Sequence, residues 1–351
     1  MQTNRFLHNS KHILSPGFDL AISKDSNLFE SSPSDTVIAR NLPTQAERIL
    51  DAPDLLDDYY LNLLDWSSLD TLGVALDNSI YAWHNGEVRE IINSPVTITS
   101  LSWMPGSHYL AVGDSEADLS LYDAQVGRKI RVIHAHADRI SSLSWKGSIL
   151  SSGSRDSTII HHDMRAKNFQ MQNKGHFQEV CGLKWSEKYL ASGGNDNHLN
   201  IWEIGYSKPI FSFNEHKAAV KALAWCPYAA GVLASGGGSA DQTIKLWDVA
   251  KGVCSKTINT GSQVCALEWN KHDMELLSAH GFADNQLTVW KYPQMQKLGD
   301  VKGHTARVLY LAQNPEGDTV VSAGADETIR FWKIFKKREK NKSLDLKFSC
   351  R

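Results

Sequence analysis

A repeat of about forty residues constrains this chain more than any other feature of its sequence. Short runs that alternate apolar and polar residues end at positions 83, 122, 162, 202, 247, 290 and 332, so that successive ends lie 39 to 45 residues apart. Five of these runs close on tryptophan, as in HLNIW and TIKLW, and a second series, as in SLSW and GLKW, lies between them. Each unit therefore holds at least three segments with a period of two, separated by Gly, Ser and Asp. This pattern is typical of strands rather than helices.

Polar residues recur with the same period. An acid lies six positions before the end of each run, and the seven acids are Asp77, Glu116, Asp156, Asp196, Asp241, Asp284 and Asp326. In four units a histidine precedes the acid by 20 to 25 residues with a serine between them; the histidines are His136, His176, His216 and His304 and the serines are Ser152, Ser192, Ser235 and Ser322. This combination resembles the WD-repeat pattern, in which His, Ser or Thr, Asp and Trp form a hydrogen-bonded tie within a blade. Seven such units predict an all-β, seven-bladed WD-repeat propeller over residues 49–335.

The segments outside the repeat have a different composition. Residues 1–48 are rich in Ser and Asn and predict a mostly disordered tail, while residues 336–351 form a basic C-terminal tail. The seventh unit lacks an outer strand, for which TVIARNL or ERIL at the end of the N-terminal segment and SLDLKFS near the C-terminus are candidates. We favour the N-terminal segment because the basic run KKREKNK separates SLDLKFS from the repeat.

The composition argues against several classes of function. A net charge of −2 over 351 residues does not favour binding to nucleic acid or to a membrane surface, and no apolar run approaches the roughly 18 residues that span a bilayer. A His-Ser-Asp set that recurs in four units is interpreted as a buried tie rather than an active site. With no P-loop, GxSxG or HExxH motif present, we expect no catalytic residues, no cofactor and no metal. Cys181, Cys226 and Cys265 lie in apolar runs and indicate buried free thiols and a reducing compartment, the nucleus and cytoplasm.

The strand order of a blade predicts which polar residues share one face. The turn between the second and third strands lies on the same face as the loop that enters the first strand. Such turns and loops, with the segment ahead of the first unit, contain Asp51, Asp57, Asp58, Asn195, Asn197, Ser239, Gln263, Arg307 and Glu327. Amides offer a donor and an acceptor together, which suits an extended peptide. The alternative is a polar, solvated rim without a ligand.

Several segments resemble one family in particular. ERILDAPDLLDDYYLNLLDWSS, EVCGLKW, ASGGNDN, HKAAVKALAWCP, GSQVC, VWKYP and GHTARVLYL are similar to the Fizzy and Fizzy-related proteins, the coactivators of the anaphase-promoting complex. The resemblance implies a propeller that binds the KEN boxes and destruction boxes of substrates and delivers them for ubiquitination. It implies as partners the subunits of that ligase, substrates such as cyclins and securin-like proteins, and spindle-checkpoint proteins.

The resemblance also assigns roles to individual positions. It implies a KEN-box site made of Asp58, Asn195, Asn197, Ser239, Gln263 and Arg307. It implies that Asp51 and Glu327 hold the arginine of a destruction box at the junction of blades one and seven, beside a groove for its leucine. An acid suits the lysine of a KEN box, an arginine its glutamate, and amides its asparagine.

The two ends depart from the family pattern. The ligase-docking C-box is represented only by a degenerate version around Arg5, Phe6 and Leu7, and the C-terminal Ile-Arg pair by Arg351 without the isoleucine. The leading hypothesis is a substrate-recognition coactivator, and the alternative is a scaffold or inhibitor that binds degrons without activating the ligase.

Overall fold

A computed structural model of the protein describes residues 40–166 and 170–336. Within these ranges the chain forms 28 strands, arranged as seven four-stranded antiparallel sheets. The prediction of an all-β, seven-bladed propeller is confirmed. No helix in the described ranges is long and apolar enough to cross a membrane.

The strands of the first three blades are β2 (Leu64–Trp66), β3 (Leu72–Leu76), β4 (Ser79–His84), β5 (Glu87–Asn93), β6 (Ile98–Trp103), β7 (Tyr109–Asp114), β8 (Asp118–Asp123), β9 (Arg128–His134), β10 (Ile140–Lys146), β11 (Ile149–Ser154), β12 (Thr158–Asp163) and β13 (Gln170–Lys174). Blades four, five and six contain β14 (Val180–Trp185), β15 (Tyr189–Gly194), β16 (Leu199–Glu203), β17 (Phe211–Phe213), β18 (Val220–Trp225), β19 (Val232–Gly237), β20 (Thr243–Asp248), β21 (Val253–Asn259), β22 (Val264–Trp269), β23 (Glu275–His280), β24 (Leu287–Lys291) and β25 (Gln296–Val301). Blade seven contains β26 (Val308–Gln313), β27 (Val320–Gly324), β28 (Thr328–Trp332) and the N-terminal strand β1 (Arg48–Asp51).

Strand β1 closes the ring by pairing with β28. Leu50 lies opposite Ile329 and Asp51 opposite Thr328, and the backbone N–H of Ala52 donates to the carbonyl of Glu327 at 2.8 Å. The N-terminal segment therefore supplies the outer strand of blade seven, from within ERIL and the aspartate after it. Of the other candidates, TVIARNL is described only from Arg40 onward, and SLDLKFS lies outside the described residues.

The last part of segment 1–48, from Arg40 onward, packs onto the propeller, and its end supplies the closing strand that the sequence analysis had allowed for there. Leu42 and Ala46 pack against the core cluster that blades six and seven share, and Arg40 forms an ion pair with the buried Glu275. The predicted propeller boundary at residue 49 also falls inside β1, which begins at Arg48. The physical reason is burial: two apolar side chains leave water, and a buried carboxylate gains a partner. Residues 1–39 lie outside the described part of the chain.

Four blades contain the predicted tie. In each, the histidine donates from Nδ1 to the aspartate at 2.8–3.1 Å, and its Nε2 lies 2.7–2.8 Å from the serine hydroxyl. Trp202, Trp247 and Trp332 donate to the same serine at 2.7–2.8 Å, whereas in blade three His162 replaces the tryptophan. The corresponding acids of blades one and six bond instead to Thr97 and Lys302.

The tie keeps its carboxylates charged. Burial by itself raises the pKa of Asp196, but hydrogen bonds from His176 and from the backbone N–H groups of Phe177 and His198 outweigh it, so that the pKa lies below its ordinary value. The same balance lowers the pKa of the tie carboxylates in blades three, five and seven. A buried polar network that is fully bonded in this way rigidifies the turn that carries it.

Neighbouring blades approach closely at a repeated glycine. A Cβ added to Gly193 in β15 would lie 2.1 Å from the carbonyl oxygen of Val220 in the next blade. Only glycine admits this approach between the second strand of one blade and the first strand of the next. The blades thereby form one continuous wall around the central channel.

The segment between β1 and β2 lies inside the channel. The Tyr59 hydroxyl donates to the carbonyl of Val264 in blade six at 3.1 Å, and the Asn62 amide donates to carbonyls of blades three and four at 2.7 and 2.9 Å. The buried Lys221 ammonium, also in the channel wall, lies 4.3 Å from the ring centroid of Tyr310. Burial lowers the pKa of Lys221 to about 8. These contacts place Asp57 and Asp58, which precede Tyr59, at the mouth of the channel.

Candidate functional site

A polar depression of about 540 Å³ lies over the channel mouth. Its lining residues are Asp57, Asp58, Tyr59, Tyr60, Asn195, Asn197, Ala218, Ala219, Gly238, Ser239, Gln263 and Arg307. The structure thus brings together all six residues that the sequence predicted as a KEN-box site. Blades four, five, six and seven and the segment inside the channel each contribute to it. Peptide binding by these six residues stays a prediction.

The acidic side of the depression is centred on Asp58. Its carboxylate accepts one hydrogen bond from the backbone N–H of Tyr60 and one from Arg139, both at 2.8 Å. Arg139 also binds Glu179 through two parallel hydrogen bonds of 2.8 and 2.9 Å. Burial alone lowers the pKa of Arg139, but the two acids outweigh it and raise the pKa overall. These bonds orient the Asp58 carboxylate and partly compensate its charge.

The basic side of the depression is Arg307. Its guanidinium is held by Asp57, through an ion pair to the carboxylate and through a 2.9 Å hydrogen bond from Nη2 to the backbone carbonyl. The Asp57 side chain is 56% exposed and that of Arg307 only 19%, so solvent screens the pair on one side. A carboxylate from a ligand would share or displace Asp57 in order to reach Arg307.

Amides occupy the space between the two charges. Asn195 accepts a hydrogen bond from the Tyr60 hydroxyl at 2.9 Å through its side-chain oxygen, and its NH₂ group can act as a donor. Asn197 has a φ of 65°, a left-handed conformation that asparagine tolerates better than most residues. Ser239 is exposed, whereas Gln263 is buried; both line the depression. An acid, a base and several amides in one depression are chemically complementary to an extended peptide with one cationic and one anionic side chain.

A second groove, of about 380 Å³, lies between blades one and seven. Its floor is apolar and includes Leu72, Val74, Tyr81, Trp83, Val88 and Ile329. Asp51 lines one end of the groove. Glu327 lies next to it, because the N–H of Ala52 donates to the carbonyl of Glu327, and its side chain is exposed. Sequence reasoning placed Asp51 and Glu327 at this junction, and the structure adds Asp54 and Asp77 to the same rim.

The sequence analysis did not identify Tyr60, which lines the first depression, or Arg139 and Glu179, which lie beside it and bond to its lining residues Asp58 and Asn195. The hydrogen bonds of Arg139, Glu179 and Tyr60 join positions 40 to 135 residues apart in the chain, and only the closed ring of blades brings them together. A signal existed for Tyr60, since it follows the predicted Asp58 by two positions. The proposed ligase-docking residues Arg5, Phe6, Leu7 and Arg351 lie outside the described residues. Within the described ranges, no group of three or more His, Cys, Asp or Glu residues is arranged to hold a metal ion.

The seven blades and their channel mouth define a WD-repeat propeller with a polar depression on one face. A family model for the CDC20/Fizzy WD40 domain matches residues 50–332. The anaphase-promoting complex subunit cdc20 of Dictyostelium discoideum is 47% identical over 335 residues, which cover 92% of this chain and 67% of that protein. The chain therefore belongs to the CDC20/Fizzy family, and the resemblance drawn from its sequence is confirmed.

Further relatives agree with this assignment. Cell division cycle 20.1, cofactor of APC complex, of Arabidopsis thaliana is 45% identical, with 90% of this chain and 73% of the relative covered. WD repeat-containing protein srw1 of Schizosaccharomyces pombe is 47% identical, with 86% and 56% covered. A chain in a crystal structure of the mitotic checkpoint complex superimposes with a TM-score of 0.82 at 42% identity, covering 85% of this chain and 98% of that one. This chain thus spans between 56% and 73% of the three curated relatives.

Proposed function

We propose that this protein is a substrate-recognition coactivator of the anaphase-promoting complex, which binds degron peptides on its propeller and is not itself an enzyme. The observation that carries the proposal is the single depression lined by Asp58, the amides of blade four and Arg307. Two relatives whose names describe them as a subunit or cofactor of that complex support the ligase as partner. The checkpoint complex in which a similar chain occurs supports spindle-checkpoint proteins as further partners.

The chemistry of the depression fits a KEN box. We expect the lysine ammonium to bind Asp58, whose side chain is 31% exposed, and the glutamate to bind Arg307 in competition with Asp57. The asparagine of the motif has donor and acceptor groups that Asn195, Asn197, Ser239 and Gln263 can match. The groove between blades one and seven would take a destruction box, with its arginine at Asp51 and Glu327 and its leucine on the apolar floor.

Substrates such as cyclins and securin-like proteins carry degrons of this chemistry and are the proposed cargo, and the nucleus and cytoplasm are the proposed compartments. The direct test is ubiquitination of a degron-bearing substrate by the purified ligase with and without this protein. We expect strong stimulation that a competing KEN peptide suppresses. Peptide binding without stimulation would instead favour the scaffold or inhibitor.

Asn197→Gly should weaken binding of a KEN peptide about tenfold, because a ligand amide or carbonyl would lose its hydrogen-bond partner. Glycine keeps the left-handed backbone at this position, where alanine would add strain that the sequence alone did not reveal. The measurement is fluorescence anisotropy with labelled KEN and destruction-box peptides. Ser157→Gly, at the same left-handed position of blade three, is the matched control and should bind both peptides normally.

Asp51→Ala and Glu327→Ala should each weaken binding of a destruction-box peptide about tenfold, since a charge-assisted hydrogen bond contributes roughly 1.5–3 kcal/mol. Both side chains are exposed, so the melting temperature should stay within about 2 °C of the native value. Glu187→Ala removes an exposed acid from a turn on the opposite face and serves as the control. Native affinity in both groove variants would remove this assignment.

A further inference from the structure

Five residues at the acidic side of the depression form a closed ring of hydrogen bonds. Arg139 donates to Asp58 at 2.8 Å and to both oxygens of Glu179 at 2.8 and 2.9 Å. The backbone N–H of Asn195 donates to the carbonyl of Glu179 at 2.8 Å. The ring closes because the Tyr60 hydroxyl donates to Asn195 at 2.9 Å and the Tyr60 N–H donates to Asp58 at 2.8 Å. It joins the channel segment to blades three and four.

The ring is buried at its base and open at one point. Glu179 is 5% exposed and also accepts a hydrogen bond from the Ser141 hydroxyl, whereas the Asp58 side chain is 31% exposed. Two acids share one arginine, so the cluster carries a net charge of −1. The parallel hydrogen bonds of Arg139 compensate Glu179 first, which leaves the residual charge on the exposed carboxylate of Asp58.

This arrangement restricts where Asp58 can point. Each of its oxygens already accepts one hydrogen bond, so the remaining lone pairs are directed outward from the ring. An aspartate on a loop would otherwise lose rotamer entropy when it binds a ligand, and a carboxylate that is already held loses less. The Tyr60 hydroxyl holds the side chain of Asn195, and the backbone carbonyl of Glu179 holds its main chain. The ring therefore keeps the Asp58 carboxylate and the Asn195 amide at a set distance from each other.

We infer that Arg139 and Glu179 are positioning residues for peptide recognition: they do not contact the peptide themselves, but hold Asp58 and Asn195 in the geometry that reads a lysine two residues before an asparagine. The inference rests on the proposed function, because it concerns how that depression selects its ligand. The competing interpretation is that Arg139 occupies Asp58 and must be displaced by the lysine of the peptide. The two interpretations predict opposite effects when Arg139 is removed.

The experiment compares two peptides that differ only in the first residue of the motif, Lys-Glu-Asn and Gln-Glu-Asn, on the full chain. Arg139→Gln should weaken binding of the lysine peptide about tenfold or more and reduce the preference for lysine over glutamine to within about threefold. Arg139→Lys keeps the positive charge but cannot form the two parallel hydrogen bonds to Glu179. It should therefore retain only part of the native preference for the lysine peptide over the glutamine peptide. Glu179→Gln should act in the same direction as Arg139→Gln.

Two controls separate positioning from folding. Arg155→Gln changes an arginine of the same blade and face whose side chain is 59% exposed and approaches Asp138 only at 3.9 Å, and it should bind as the native chain does. Every variant should also bind a destruction-box peptide normally, since that groove lies between other blades. Unchanged or tighter binding of the lysine peptide by Arg139→Gln and Arg139→Lys would overturn this inference and leave the proposed function standing. Failure of the native chain to bind either degron peptide would overturn the proposed function with it.

Discussion

Asp196→Ala is expected to lower the free energy of unfolding by about 3–5 kcal/mol, the usual effect of removing one partner of a buried pair. The Asp196 carboxylate is 4% exposed and accepts hydrogen bonds from His176 at 3.0 Å and from the backbone N–H of Phe177 at 2.9 Å. Alanine would leave His176 without its acceptor and disturb the link through Ser192 to Trp202. Chemical denaturation followed by tryptophan fluorescence measures the change.

The repeat supplies a matched control for this variant. Asp284 occupies the same position of blade six, six residues before the tryptophan, but its side chain is 58% exposed and bonds to Lys302. Asp284→Ala should therefore change the free energy of unfolding by less than about 1 kcal/mol. Equal losses for Asp196→Ala and Asp284→Ala, or none for either, would contradict the role assigned to the tie.

Deleting residues 1–51 should destabilise the propeller by about 2–6 kcal/mol and promote association. The deletion removes β1, whose backbone hydrogen bonds to β28 each contribute about 0.5–1.5 kcal/mol, and it exposes the edge of blade seven. Deletion of residues 1–47 keeps β1 but loses the contacts of Arg40 and Leu42, so an intermediate loss is expected. Melting temperature measures the stability, and light scattering the association, of the native chain and the two deletion variants.

Deletion of residues 1–39 is the control, because it leaves every described strand in place. This variant should melt as the native chain does and bind both degron peptides normally. It also lacks Arg5, Phe6 and Leu7, so it should fail to stimulate ubiquitination. Full stimulation of ubiquitination by this variant would show that the degenerate C-box has no docking role. A melting temperature below that of the native chain would show that residues 1–39 also stabilise the propeller, in addition to β1.

The stability variants and the peptide variants affect different parts of one turn. In the stretch Gly194 to His198, the side chain of Asp196 points into the tie, while Asn195 and Asn197 line the depression. Sequence reasoning separated these fates, because the acid recurs in every blade and the flanking residues do not. It did not reveal that Asn195 is also bonded to Tyr60, so Asn195→Ala should cost more stability than a free amide at a rim would.

The sequence by itself determined the fold and the face of the site. A period of about forty residues with alternating polarity allows few arrangements other than a ring of blades, and strand alternation within a blade determines which turns share a face. That is why Asn195, Ser239 and Arg307, which lie in three separate blades, were predicted to meet. The resemblance to a family then predicted degron peptides as the ligand class, which stays a prediction.

Only the tertiary structure decided how the ring closes and how its charges are paired. Closure depends on which segment pairs its backbone with the free edge of β28, and β1 does so although three of its four residues are exposed. Local sequence pattern cannot decide between candidate segments for such a long-range pairing. The pairs Arg139–Glu179 and Arg307–Asp57 join residues 40 and 250 positions apart in the chain. Ion pairs leave no periodic signal in a sequence, because any acid near any base in space satisfies them. The positions of these side chains follow from ring closure and from the path of the segment inside the channel.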